Sequence, residues 1–233
     1  MTIPVIHHAP RNPHAAAENR RLCDSHGLVC LNLIGPLGSG KTALLEAVLP
    51  RLEGELRVGV IMGGLASARD AQRLADLGVP VVQVLTDGRC HLGAEQVRHA
   101  INELPVNKLD LLVIENVGGL ICQAAVDLGE HLRASVMSVS LGHELIGKYP
   151  LAFRQAALLL LTKCDLLPHT EFSLQAATEL LQRVSPGSEI ICTAARRRIG
   201  IDRVAGWLLG YVRAQRFSGW HREGVARAVY LPV

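Results

Sequence analysis

Short apolar runs alternate with longer amphipathic segments along most of the chain, and this pattern predicts strands alternating with helices. The apolar runs are continuous rather than alternating, which is typical of parallel strands buried on both faces. Strands are predicted at 28–34, 57–62, 79–85, 109–114, 135–140, 156–161 and 189–192. Helices are predicted at 13–26, 42–52, 67–77, 94–103, 172–184 and 201–216. The order predicts an α/β fold with a mostly parallel sheet and helices on both faces.

The alternation runs on without a Pro/Gly/Ser-rich linker or an internal repeat, which indicates a single domain. A chain of 233 residues that is 49% hydrophobic can bury a substantial core. We expect a flexible N-terminal arm at 1–12, the domain at 13–216 and a C-terminal tail at 217–233.

Composition argues against several classes of partner. A net charge of +3 and an aromatic content of 3% are poor support for nucleic-acid binding, so the basic run 196–198 is expected to be solvated surface. The N-terminus lacks the features of a signal peptide, and no apolar run reaches the length of a membrane span. We therefore expect a cytoplasmic protein that binds neither nucleic acid nor membrane.

Residues 35–42 have the sequence GPLGSGKT, which matches the phosphate-loop pattern G-x-x-x-x-G-K-[ST] between a predicted strand and a predicted helix. The glycines let backbone N–H groups point at phosphate oxygens beside the positive end of the helix. Lys41 would neutralise the phosphates and Thr42 would ligate Mg²⁺. The predicted nucleotide-binding residues of this segment are Gly35, Gly38, Ser39, Gly40, Lys41, Thr42 and Ala43. The segment predicts a P-loop protein that binds a nucleoside triphosphate.

Three polar residues follow later strands, where ligands of a parallel sheet bind. Glu115 ends a predicted strand, where its carboxylate can reach Mg²⁺ through water or orient the attacking water. Lys163 and Asp165 follow another strand in an x-Lys-x-Asp arrangement. An aspartate there can accept both the N1–H and the 2-amino group of guanine, which adenine cannot offer. This favours GTP over ATP.

Cys90, His91 and Cys122 form a candidate metal site. Two thiolates and an imidazole suit Zn²⁺ or Ni²⁺. Cys122 follows the segment 115–118, which is expected to sense the γ-phosphate, so such a metal would be coupled to nucleotide state. Spacing alone leaves an even choice between a metal site and buried, inert cysteines.

The chain resembles the HypB family, GTPases that help deliver nickel to [NiFe]-hydrogenase. The resemblance extends from about residue 17 to residue 207. It rests on motifs at 18–20, 32–33, 38–46, 90–92, 115–118, 122, 127–130, 148–150 and 163–168. The urease counterpart UreG has a similar phosphate loop but a Cys-Pro-His metal motif and Glu-Ser-Gly-Gly after its Walker B strand. This chain has Cys-His and Glu-Asn-Val-Gly at those places, which favours the hydrogenase branch.

The resemblance implies a P-loop GTPase with GTP, Mg²⁺ and either Ni²⁺ or Zn²⁺ as ligands. It implies that Lys41 and Thr42 hold the phosphates and Mg²⁺, that Asp165 selects guanine, and that Cys90, His91 and Cys122 bind the metal. It also implies a homodimer promoted by GTP, with the metal site where the subunits meet. The implied partners are a HypA-like nickel chaperone and the hydrogenase large subunit precursor.

The first switch departs from the family pattern. Family members usually have an aspartate where this chain has Gly64, whereas Asp70, at the end of the same motif, is retained. The predicted catalytic residues are therefore Lys41, Glu115 and Asp70. Three interpretations stay open: a slow GTPase, a nucleotide-gated nickel or zinc binding protein that hardly hydrolyses, and an assembly GTPase for urease or another metalloenzyme.

Overall fold

A parallel sheet forms the centre of the molecule. The structure, a computed structural model, describes residues 3–6, 14–64, 69–86 and 88–217. The strands are β1 (Val5–Ile6), β2 (Val29–Ile34), β3 (Val58–Gly64), β4 (Val81–Leu85), β5 (Leu111–Glu115), β6 (Leu132–Ser138), β7 (Leu158–Thr162) and β8 (Glu189–Cys192). They lie in the order β1-β4-β3-β5-β2-β6-β7-β8, and every pairing between them is parallel. The predicted α/β fold with a parallel sheet is confirmed.

Helices cover both faces of this sheet. They are α1 (Ala15–Ser25), α2 (Lys41–Leu52), α3 (Arg69–Ala75), α4 (Ala94–Asn102), α5 (Ile121–Ala124), α6 (Leu145–Lys148), α7 (Pro150–Arg154), α8 (Leu174–Val184) and α9 (Ile201–Phe217). The short helices α5, α6 and α7 were not predicted, because four or five residues are too few to show a helical period. Within the part of the chain that the structure describes, no helix is both long and apolar enough to cross a membrane.

Successive residues of each central strand face opposite cores. In β2, Val29, Leu31 and Leu33 join one apolar cluster with residues of α2 and α9, whereas Cys30 joins a second cluster that includes α4. Both faces of β2 are therefore buried, which explains why the sequence shows a continuous apolar run instead of an alternating one.

Strand β1 lies within the segment that we expected to be a free arm. Val5 and Ile6 pair with Gln83 and Val84 of β4 and extend the sheet at its edge. A two-residue strand has no recognisable period, so the pattern gave no signal for it. At the other terminus α9 extends through Phe217. Most of the predicted arm (residues 1–2 and 7–12) and the predicted tail from residue 218 lie outside the described residues, as do the first residues of the predicted helix 67–77, and those domain boundaries stay predictions.

The side chain of His131 is buried where the segment before β6 packs on α1. Its Nδ1 accepts a hydrogen bond from the Cys30 backbone N–H (2.9 Å), which requires an unprotonated Nδ1. Its Nε2 then carries the proton and donates to Asp24 Oδ1 (3.1 Å). Burial lowers the His131 pKa to about 4, although the Asp24 carboxylate acts in the opposite direction. The folded protein therefore holds this imidazole neutral.

We expect this histidine to make the protein less stable in mild acid. The unfolded chain binds the proton near pH 6.5, so the contribution of His131 to the free energy of unfolding should fall by about 2–3 kcal/mol as the pH falls from about 6.5 to about 4. Urea unfolding of the natural chain and of His131→Gln at pH 7 and pH 4.5 measures this loss. His131→Gln should remove most of it, whereas the exposed His99→Gln should not. An equal loss in both variants would show that other groups set the pH dependence.

Candidate nucleotide and metal site

The predicted site residues converge on the edge where the parallel strands end. The phosphate loop follows β2, the candidate metal loop follows β4, Glu115 ends β5, and Lys163 follows β7. This edge is where open α/β sheets bind ligands.

The phosphate loop is shaped by its glycines. Gly40 adopts a left-handed conformation (φ 89°) directly before the first residue of α2, which a residue with a side chain would adopt at a cost. A Cβ at Gly35 would collide with the Val136 backbone carbonyl of β6. The Thr162 hydroxyl at the end of β7 donates to the Ser39 carbonyl (2.5 Å). The loop is therefore held against β6 and β7.

Lys41 lies inside this loop with only 7% of its surface exposed. Its ammonium donates to the carbonyl oxygens of Gly35 (2.8 Å) and Pro36 (3.2 Å). Burial lowers the Lys41 pKa, and the nearby Glu115 carboxylate acts against that shift. The side chain is thus positioned within the loop that would surround the phosphates.

Glu115 and Thr42 contact each other across the site. The Thr42 hydroxyl donates to Glu115 Oε1 (2.7 Å), and Oε2 has no hydrogen-bond partner among the described residues. Burial raises the Glu115 pKa to about 7, against the Thr42 hydrogen bond and the charge of Lys41. A hydroxyl and a carboxylate with a spare oxygen are hard oxygen ligands of the kind that Mg²⁺ and its bound waters prefer.

Asp70 is placed differently from the other two predicted catalytic residues. It is exposed in the first turn of α3, where Arg73 Nη1 donates to its Oδ1 (2.9 Å). Arg73 also pairs with Glu46 of α2. Asp70 is nevertheless near enough to Glu115 for its charge to contribute to the raised Glu115 pKa. It touches neither Thr42 nor Lys41 in the described hydrogen bonds.

The predicted base-recognition residues lie beside the phosphate loop. Lys163 adopts a left-handed conformation (φ 56°), and its ammonium donates to the Gly38 carbonyl (2.9 Å). Asp165 Oδ2 accepts from Arg197 Nε (3.3 Å). Arg197 was expected to be a solvated surface charge; its side chain is 70% exposed, and it nonetheless contacts the aspartate predicted to bind guanine.

The candidate metal ligands come together although Cys122 is distant in sequence from the other two. The ligand atoms of Cys90, His91 and Cys122 all lie within 4.8 Å of one another. Cys90 is exposed, and the other two side chains are half-buried. Cys90 Sγ and His91 Nδ1 are 3.5 Å apart. The alternative of buried, inert cysteines does not fit these exposures.

Residues 29–192 match the family described as CobW/HypB/UreG, nucleotide-binding domain. The chain belongs to this family. It is 41% identical to the hydrogenase maturation factor HypB of Azotobacter vinelandii over 85% of this chain and 65% of that protein. It is 35% identical to the probable HypB of Methanocaldococcus jannaschii over 83% of this chain and 87% of that protein. The chain thus spans about two thirds of the length of the Azotobacter relative.

Solved structures agree with this assignment. A crystal structure of HypB from Helicobacter pylori in complex with nickel has 30% sequence identity and a TM-score of 0.82, covering 86% of this chain and 94% of that one. The resemblance to HypB that the motifs predicted is confirmed.

In this HypB-type chain the motif at 115–118 contains a residue whose role in joining two parts of the site was not predicted. Asn116 directly follows Glu115 and is 1% exposed. Its Oδ1 accepts from the backbone N–H groups of Leu92 (3.3 Å) and Val117 (3.0 Å). Leu92 follows His91, so the metal loop is bonded to the end of the strand that carries Glu115. The sequence signal that could have indicated this role is an asparagine directly after an apolar strand, where burial is expected. A buried amide needs hydrogen-bond partners.

Proposed function

We propose that this chain is a GTP-binding and GTP-hydrolysing metallochaperone that assists nickel delivery during [NiFe]-hydrogenase maturation. One observation carries the proposal: a compact Cys/Cys/His cluster and a phosphate loop share one edge of the sheet, and Asn116 bonds the backbone beside His91 to the end of the strand that carries Glu115. The HypB names of its relatives and the nickel complex of the Helicobacter protein support the nickel assignment.

In this proposal the phosphate loop binds GTP. Backbone N–H groups of the loop and the Lys41 ammonium bind the β- and γ-phosphates, for which Lys41 leaves the carbonyls of Gly35 and Pro36. Asp165 accepts from guanine, and Lys163 stays beside the loop at Gly38. When bound, Mg²⁺ neutralises phosphate charge. Thr42 would hold it directly, and the free Oε2 of Glu115 would accept from one of its waters.

Hydrolysis then requires a water placed in line with the γ-phosphorus. The oxygen of that water bonds to phosphorus as the bridging bond to the β-phosphate breaks, giving GDP and phosphate. Lys41 stabilises the charge that develops on the phosphoryl oxygens, and Glu115 helps to orient water. Asp70 is a weaker candidate for a catalytic role, because it is exposed and paired with Arg73. With Gly64 in place of a family aspartate, we expect slow turnover.

The Cys/Cys/His cluster suits Ni²⁺ or Zn²⁺. Thiolate and imidazole are their preferred ligands, and three ligand atoms within 4.8 Å of one another can reach a single ion. Three ligands from one chain leave a position for water or for a second chain, so the ion can be shared in a homodimer, which the resemblance to HypB implies is promoted by GTP. The proposed partners are a HypA-like nickel chaperone and the hydrogenase large subunit precursor, and the proposed location is the cytoplasm.

Single-turnover hydrolysis of GTP with Mg²⁺ tests this function. Gly64 ends β3, two residues beyond Met62, which is in register with Glu115, so a carboxylate at position 64 would lie near the phosphate site. We expect the natural chain to hydrolyse GTP, and Gly64→Asp to accelerate it less than about tenfold. Gly64→Asn, which has the same size without the charge, is the matched control.

The absence of a carboxylate at Gly64 favours a second candidate, a nucleotide-gated metal-binding protein without hydrolysis. An inert natural chain that Gly64→Asp activates by about 100-fold or more, with Gly64→Asn still inert, would replace the first proposal with this one. Nucleotide binding alone would then shift the metal-binding state.

A further inference from the structure

The side chain of Gln123 lies between the metal cluster and the phosphate loop. It belongs to α5, next to Cys122, and only 1% of its surface is exposed. Its Nε2 donates to the backbone carbonyl of Cys90 and to that of Val117 (3.2 Å). Its Oε1 finds no partner among the described residues. One carboxamide thus joins the two candidate metal-binding segments to the end of β5.

The segment 117–119 lies directly on the phosphate loop. The Gly119 backbone N–H donates to the Gly35 carbonyl (3.0 Å), the same oxygen that accepts from Lys41. Gly118 packs on Leu37 so closely that a Cβ there would be 2.9 Å from Leu37 Cα. When phosphates take the Lys41 ammonium, the Gly35 carbonyl loses one of its two donors. We therefore expect phosphate binding to shift the phosphate loop and the segment 117–119 together.

Gln123 abuts this segment, because a Cβ at Gly119 would collide with the Gln123 carboxamide. A shift of the segment must therefore displace the carboxamide or be resisted by it. The close packing makes Gln123 sensitive to the position of Gly119 even though the two residues share no described hydrogen bond.

The far end of α5 is held independently. Arg133 of β6 donates to the carbonyls of Ala124 (2.9 Å) and Val126 (3.1 Å), and it forms a buried ion pair with Glu130. Because the bond to the Ala124 carbonyl anchors the end of α5 to the sheet, we expect Cys122 to stay in place when the segment 117–119 shifts. A change at Gln123 instead alters the placement of Cys90 relative to Cys122.

We propose that Gln123 is the positioning residue that sets the separation of Cys90 and Cys122 according to the nucleotide bound. Its hydrogen bonds go to the Cys90 and Val117 backbone carbonyls and not to the candidate metal-ligand atoms, so it acts through those carbonyls. The inference rests on the proposed function, since it requires that the chain bind both metal and GTP.

Gln123→Met tests the inference, because methionine has a similar length and no N–H to donate. The measurement is the Ni²⁺ dissociation constant, obtained by competition with a chromophoric chelator, for protein saturated with GDP or with a non-hydrolysable GTP analogue. For the natural chain we expect the two constants to differ by about fivefold or more. For Gln123→Met we expect a ratio near one, with the nucleotide affinities of the metal-free protein unchanged within about twofold. Gln175→Met, on the exposed face of α8, is the matched control.

A second variant separates positioning from loss of fold. Gly119→Ala keeps the carboxamide but pushes a methyl group into it, and it should lower the ratio as well. If Gln123→Met or Gly119→Ala folds with native ellipticity and keeps the natural ratio, the inference is wrong while the proposed function stands. A natural chain that does not bind Ni²⁺ overturns the proposed function and the inference together; one that binds it with equal affinity in both nucleotide states overturns the inference alone.

Discussion

Replacing Lys41 with alanine is expected to lower the rate of GTP hydrolysis by about 10²- to 10³-fold, or about 3–4 kcal/mol of transition-state stabilisation. The ammonium is the buried cation of the phosphate loop, and its lowered pKa reflects the cost of desolvation. Alanine removes a charge that binds the phosphates more strongly as negative charge develops. Rapid-quench measurement of single-turnover hydrolysis with Mg²⁺ gives the rate constant directly.

The fold should survive this change. Lys41 donates to two backbone carbonyls, and the Gly35 carbonyl keeps the Gly119 N–H as a donor. Removing a buried charge also removes its desolvation cost, so the melting temperature should change little. Lys108→Ala is the matched control, because Lys108 is exposed in the turn before β5, at the opposite end of that strand. Turnover that persists in Lys41→Ala would mean that residues 35–42 are not the catalytic phosphate loop.

The sequence predicted the sheet because burial on both faces produces continuous apolar runs. It was less successful where polar residues interrupt a run. The strand predicted at 135–140 is observed as Leu132–Ser138. Its second residue is Arg133, and an arginine in a sequence usually indicates an exposed position. Arg133 is buried because Glu130 and three acceptor groups surround it: the Ala124 and Val126 carbonyls and the Gln155 side chain. Such compensation depends on tertiary structure, so a periodic pattern cannot show it.

Sequence patterns could nominate candidate site residues where chemistry fixes the residue type. A phosphate loop requires glycines and a lysine at set spacing, and the three candidate metal ligands do come together. The connections between those groups were not predicted. Asn116 and Gln123 act through backbone carbonyls and N–H groups, and any polar segment offers those, so their partners become visible only once the loops are placed.

These connections indicate how the bound nucleotide could change the affinity of the cluster for metal. Glu115 accepts a hydrogen bond from the Thr42 hydroxyl. Asn116 accepts from the Leu92 backbone N–H of the metal loop, and Gln123 donates to the Cys90 carbonyl of the same loop. All three contacts involve the end of β5 or the short helix that follows it. Hydrogen bonds and short stretches of chain therefore connect the phosphate loop to the backbone of the metal loop. Coupling also requires that this connection have two arrangements that both sites bias, which the comparison of Ni²⁺ affinities in the two nucleotide states tests.

Replacing Cys122 with alanine is expected to weaken Ni²⁺ binding by about 100-fold or more and to leave GTP affinity unchanged. Loss of an outer partner of a metal ligand typically costs 10–100-fold in affinity, so loss of a ligand should cost at least as much. Cys122 supplies one of the three clustered ligand atoms. It has no described hydrogen bond to the phosphate loop, and its neighbour Gln123 remains to hold the segment 117–119. Chelator competition gives the Ni²⁺ dissociation constant, and calorimetry gives the GTP affinity.

Cys192→Ala is the matched control, because Cys192 is a half-buried thiol at the end of β8, outside the clustered ligands. Loss of Ni²⁺ affinity in Cys122→Ala but not in Cys192→Ala assigns the ion to the cluster and not to thiols in general. Equal loss in both would contradict the assignment. If GTP affinity falls together with Ni²⁺ affinity in Cys122→Ala, the thiol also supports the nucleotide site. The prediction that Cys122 acts on the metal site alone would then be wrong.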